Sequence, residues 1–151
     1  VGLRNDGMSA GGVWVLPGTW LAALPGDTFD RAPEVPVGDA DGVVLFGRVA
    51  GERYGAAVAI AGGLLGVGTP LSDEDGTAGV GGANIYRWRD GGLHRVARFA
   101  GEAWRPGGRL GEQLAAVEGP DGALFVVGGF LASGLGLDTG AAYGFTLPAA
   151  R

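Results

Sequence analysis

The sequence predicts an all-β protein built from repeated units of four short antiparallel strands, the blades of a β-propeller. Three observations predict it. The 151 residues include 33 glycines, roughly three times ordinary usage. These glycines lie beside β-branched and aromatic runs without a three-residue period, which excludes collagen and fits strands joined by tight turns. No segment carries sustained 3.6-residue periodicity with caps, so essentially no helix is expected. Finally, three segments align: Val1-Gly2 followed by GGVWVL, Val67-Gly68 followed by GGANIYRW, and Val127-Gly128 followed by TGAAYGF.

The first unit, residues 1–46, reads as the C-terminal half of a blade, with strands in GGVWVL and VVLF. Between them, residues 17–37 (PGTWLAALPGDTFDRAPEVPV) form an irregular stretch whose prolines argue against a central strand. It is expected to be an elaborated loop, the kind of segment that carries specific contacts. Asp39-Ala40-Asp41-Gly42 looks like a fragment of a calcium loop, but a hairpin turn before VVLF fits it better.

The second unit, residues 47–99, is a full blade. Its strands are expected at Ala56 to Ala61, Leu64 to Val67, Ala83 to Trp88 and Leu93 to Phe99. They are separated by Gly-Gly, by a loop containing Ser-Asp-Glu-Asp, and by Arg-Asp-Gly-Gly, a strong hairpin signal. The third unit, residues 100–151, repeats the pattern without its last strand, giving about two and a half blades in one partial propeller. Inner strands crowd the axis, a demand that AAVAIAG and QLAAVEG meet with small apolar residues. The outer run LHRVARF carries bulk and charge by alternation.

A net charge of -5 and the absence of a basic cluster along the chain argue against an electrostatic grip on nucleic acid or anionic lipid. Zero cysteines removes disulfides, thiolate chemistry and the usual zinc sites. No apolar run approaches the ~20 residues of a membrane helix. Gly7-Met8-Ser9-Ala10-Gly11 satisfies G-x-S-x-G, but a nucleophile elbow needs a strand entering and a helix leaving, and here the strand GVWVL leaves. The single histidine, His94, cannot build a multi-histidine metal site. Trp14, Trp88 and Trp104 either stack on sugars or, more in keeping with a propeller, fill gaps between blades.

FGRVAGERYGAAVAIAG, with Phe46-Gly47 and Tyr54-Gly55 as paired aromatic-glycine positions, resembles the FG-GAP repeat of integrin α-subunit propellers and their bacterial relatives. Gly68-Thr69-Pro70 looks like the GAP tripeptide, and GGANIYRW like the glycine-plus-aromatic strand that follows it. The third unit is similar more loosely, with Leu110-Gly111 and Gly128-Gly129-Phe130 in those places.

The resemblance implies that a calcium loop, where present, lies between the first and second strands. Here Gly62-Gly63 offers no side-chain oxygen at that place and Gly119-Pro120-Asp121-Gly122 only one, so calcium is expected to be lost in both blades, with no other cofactor implied. Asp73, Glu74 and Asp75 lie instead between the second and third strands. A charge run there is a solvated turn on general grounds. The resemblance places the same loop on a ligand-contacting face, which makes these three residues the candidate binding site, with a metal third in order.

The resemblance further implies a non-enzymatic interaction module, extracellular, periplasmic or on the cell surface, as in cell adhesion. Its expected partners are protein chains or glycan, without nucleic acid. The alternative is an accessory domain of an exported hydrolase whose catalytic residues lie elsewhere. Val1-Gly2 occupies the register of Val67-Gly68, so the chain is expected to be a segment of a larger propeller, or to dock against chains that complete it.

Overall fold

A computed structural model describes residues 10–15, 42–73, 77–100, 106–130 and 139–148. These residues are all-β, with nine strands in three antiparallel sheets and no helix. Strands β1 (Gly12–Val15) and β2 (Val43–Phe46) pair with each other. Strands β3 (Val58–Ala61), β4 (Leu64–Gly68), β5 (Gly82–Arg89) and β6 (Gly92–Ala100) form a four-stranded sheet in sequence order. Strands β7 (Gln113–Gly119), β8 (Gly122–Gly129) and β9 (Ala141–Pro148) form a three-stranded one. All four strands expected in the second unit are present, each within two residues of its expected ends. The 17–37 segment and Asp39 to Asp41 lie outside the described residues.

Turn chemistry fixes the strand register. Arg89 pairs with Gly92, leaving Asp90 and Gly91 as a two-residue loop, and both have positive φ (53° and 75°). This is the primed turn whose twist matches that of the flanking strands. Ala61 pairs with Leu64 across a second two-residue loop, Gly62-Gly63.

The sheets pack face to face, and strand alternation decides which side chains meet. One face of the four-stranded sheet presents Leu65 and Val67 to Val13 of β1, with Val58, Tyr86 and Leu93 around them. Its other face presents Ala61, Leu64 and Ile85 to Ala123 and Phe125 of the three-stranded sheet. Phe125 is fully buried, and it fits because β4 carries glycine opposite it. A Cβ on Gly66 would lie 2.8 Å from both the Phe125 ring and Leu114 Cδ2. At the outer strands Phe99 stacks on Phe145, with centroids 3.8 Å apart and planes 6° from parallel.

A single junction recurs between successive sheets. Before the four-stranded sheet, the Tyr54 N–H donates to the Ala10 carbonyl (2.9 Å) and Tyr54 bridges Gly11 in parallel. Before the three-stranded sheet, the Leu110 N–H donates to the Val80 carbonyl (3.1 Å) and Leu110 bridges Gly81 in the same way. Gly55 and Gly111 then donate to the carbonyls of Gly68 (2.9 Å) and Gly128 (3.0 Å). Both are in the left-handed region, with φ of 83° and 93°. A Cβ on Gly55 would lie 2.7 Å from Val13 Cγ2, and one on Gly111 would overlap the Gly82 carbonyl oxygen. Arg53 and Arg109, one residue before each bridging residue, share the same unusual φ of 52°. The aromatic-glycine and leucine-glycine pairs are thus seams where one sheet is hydrogen-bonded to the next.

The outer strand departs from simple alternation. Cross-strand partners run Tyr86 to Arg95 and Ile85 to Ala97, which leaves Val96 as the extra residue of a β-bulge. Unbroken alternation would put Leu93, Arg95, Ala97 and Phe99 on one face. Instead Leu93 packs toward β1–β2 while Ala97 and Phe99 pack toward the three-stranded sheet. The bulge lets one strand supply apolar groups to two cores.

Candidate functional site

The loop after β4 is organised by its own hydrogen bonds. Thr69 is fully buried, and its Oγ1 donates to the Gly82 carbonyl (3.2 Å). Ser72, also buried, donates its hydroxyl to the Thr69 carbonyl (2.9 Å), while the Ser72 carbonyl accepts from the Gly81 N–H (3.0 Å). Asp73 is exposed, and its Oδ1 accepts the Gly79 N–H (2.9 Å), drawing the two ends of the loop together. Of the three acidic residues singled out in the sequence, Asp73 therefore has a structural task. Glu74 and Asp75 lie outside the described residues.

The other sequence candidates do not converge. His94 is exposed on β6, paired across the strand with Arg87. Trp88 is exposed near the β5–β6 turn and Trp14 is half-buried on β1, while Ser9 and Trp104 lie outside the described residues. Among the described residues, no three histidine or carboxylate side chains are grouped as metal ligands, and no helix is long and apolar enough to cross a membrane.

What the fold does bring together is a cleft of about 530 Å³ between β2 with its following link and the β5–β6 hairpin. Its polar walls are Arg48, Glu52, Tyr54, Tyr86, Arg95 and Arg98, with Asn84 at the base. Arg98 opposes Asn84 and Arg95 opposes Tyr86 across the β5–β6 ladder. Asn84 and Tyr86 are two residues apart on one strand and share a face, so both arginines share it too. Three residues apart, the arginines would face opposite ways in an unbulged strand. The Val96 bulge is what places them side by side.

Hydrogen bonds fix the cleft's groups. The Tyr54 and Tyr86 hydroxyls are 2.6 Å apart, Arg95 Nη1 donates to Asn84 Oδ1 (3.4 Å), and Arg98 Nη2 donates to Ser72 Oγ (3.4 Å). Glu52 Oε2 accepts the backbone N–H groups of Arg48 (2.8 Å) and Val49 (3.4 Å), which ties its carboxylate to the turn that carries it. Burial and the Tyr86 hydroxyl, with a smaller push from the Glu52 charge, raise the Tyr54 phenol far above its ordinary 10.0, against an opposing pull from Arg95. Tyr54 is therefore a neutral hydrogen-bonding group under all ordinary conditions.

Nothing along the chain marks this cluster. Arg48, Arg95 and Arg98 are scattered in a sequence of net charge -5, and their approach depends on a bulge that no turn residue announces. In comparisons with known proteins, no family model matches the chain and no curated protein matches it.

Proposed function

We propose that the chain is a non-enzymatic interaction and scaffold module, one run of units in a larger β-propeller completed by further units or by other protein chains. The observation that carries this reading is an uncovered face whose equivalent in the preceding sheet is covered. The repeat aligns Ala61 with Val117 and Leu64 with Leu124. Ala61 and Leu64, on the four-stranded sheet, are 7% and 1% exposed beneath the three-stranded sheet. Val117 and Leu124 are 58% and 38% exposed, and Val126 beside them is also exposed. An apolar sheet face of this kind is a surface for association. The resemblance to FG-GAP repeats supports the same reading, with protein or glycan as the eventual ligand.

Light scattering of the purified 15.1 kDa chain tests the reading. We expect a mass above that of the monomer which rises with concentration. A dispersed monomer throughout the micromolar range would overturn it. So would a hydrolase activity of the chain that is lost in Ser9→Ala or Asp73→Ala.

A further inference from the structure

We infer that a second copy of this chain docks on the uncovered outer face of the three-stranded sheet, the two sheets packing face to face about a two-fold axis, which rests on the reading of that face as a surface for association and names its occupant.

Charge points to a copy of the same surface. Val117, Leu124 and Thr146 form one cross-strand row on this face, and Ala115, Val126 and Gly144 form the next. All six are exposed and none is charged, in a chain with 16 acidic and 11 basic residues. A two-fold axis brings every charge on a docking face near its own copy, and like charges brought together oppose association. A face that meets itself therefore has to be free of one-signed charge, whereas a face for an unlike partner has no such constraint.

Shape and topology point the same way. Leu124 Cδ1 leans to within 3.5 Å of the place a Cβ would take on Gly144, so the bulkiest side chain lies along the sheet rather than standing off it. Two copies of one sheet share the same twist and pack aligned at about −30°. Stacking copies in series, as the sheets are stacked within the chain, is blocked. Leu64, the equivalent of Leu124, is covered by Phe125, whose own equivalent in the four-stranded sheet is Leu65. Leu65 and its neighbour Val67 are already buried against Val13 of β1. The face is also small. Three strands about 4.8 Å apart, each about seven residues long at about 3.3 Å per residue, cover about 300 Å², well below the roughly 800 Å² per partner of a standard interface. The dimer is accordingly weak and reversible.

The test uses the whole chain with Leu124→Asp and Leu124→Lys, each alone and in equimolar mixture, followed by sedimentation velocity into the high micromolar range. We expect the wild type to interconvert between 15.1 kDa monomer and dimer, with no larger species. Each variant alone should stay monomeric. The mixture should form one-to-one dimers at least about tenfold more tightly than either variant does by itself, and added salt should weaken them. Both variants change an exposed position, and circular dichroism checks that they fold. Val126→Asp and Val126→Lys repeat the comparison at the neighbouring row. A wild type that grows beyond the dimer, with mixtures associating no better than single variants, would overturn the two-fold pairing while leaving the face a surface for association. Variants that dimerise alone as well as the wild type would overturn the placement of the contact. A wild type that is monomeric throughout would overturn both the pairing and the reading it rests on.

Discussion

Tyr54 shows how one residue can serve a seam and a cleft at once. Its backbone joins two sheets through Ala10 and Gly11, while its hydroxyl reaches Tyr86 at 2.6 Å. Because its folded pKa is raised above the ordinary 10.0, the folded state holds its proton more tightly than the unfolded chain. The resulting stability is complete below pH 10 and is lost as pH rises from there toward the folded value. The expected slope is about 1.4 kcal/mol per pH unit for this one group. Urea titrations of the wild type and Tyr54→Phe at pH 9 and pH 11 check it, since only the wild type should lose this increment. At the equivalent seam, Gly111→Ala forces a side chain into the left-handed region and into the Gly82 carbonyl. We expect a loss of about 3 kcal/mol or more, measured by the same titration.

Among the elements, β8 and β6 carry the most consequence. Phe125 on β8 is fully buried between two sheets and lies over Gly66 of β4. Phe125→Ala should cost about 3–5 kcal/mol, seen as a lowered midpoint of thermal unfolding. On β6, the Val96 bulge divides Leu93 from Ala97 and Phe99 between two cores and turns Arg95 and Arg98 to one side. Deleting Val96 would give regular alternation with Arg95 and Arg98 two residues apart, so Leu93 and both arginines would keep their common face. The expected result is a protein that stays folded and keeps both arginines along the cleft, checked by its midpoint of thermal unfolding and by retained amide signals of Asn84 and Tyr86. The sequence run LHRVARF makes the strand legible, but not the bulge. The alternating pattern is a local property, whereas the bulge is imposed by the need to fill a core on each side.

At the scale of the molecule, the described residues form three sheets stacked through a recurring seam, and the outer face of the three-stranded sheet is uncovered at Val117, Leu124 and Val126. Leu124→Glu together with Val126→Glu should leave unfolding free energy within about 1 kcal/mol, since exposed positions contribute little each. Light scattering should show that the same pair of changes abolishes association. The ion pair between Arg53 and Glu112 (3.0 Å) also links two seams, but with Arg53 half-exposed its removal should cost no more than about 1 kcal/mol.

The sequence by itself determined the strands, the hairpin turns and the repeat. These follow from local rules: glycine and aspartate at turns, β-branched and small residues between them, and three segments in register. Tyr54-Gly55 and Leu110-Gly111 could be singled out because a seam requiring a positive φ leaves a glycine in the chain. Only the tertiary structure decided what the acidic loop and the arginines do. Asp73 meets Gly79 once the loop closes, and Arg48, Arg95 and Arg98 become neighbours when a link and a bulged strand pack against each other. Such convergence depends on distances between sheets, and no spacing along the chain encodes them.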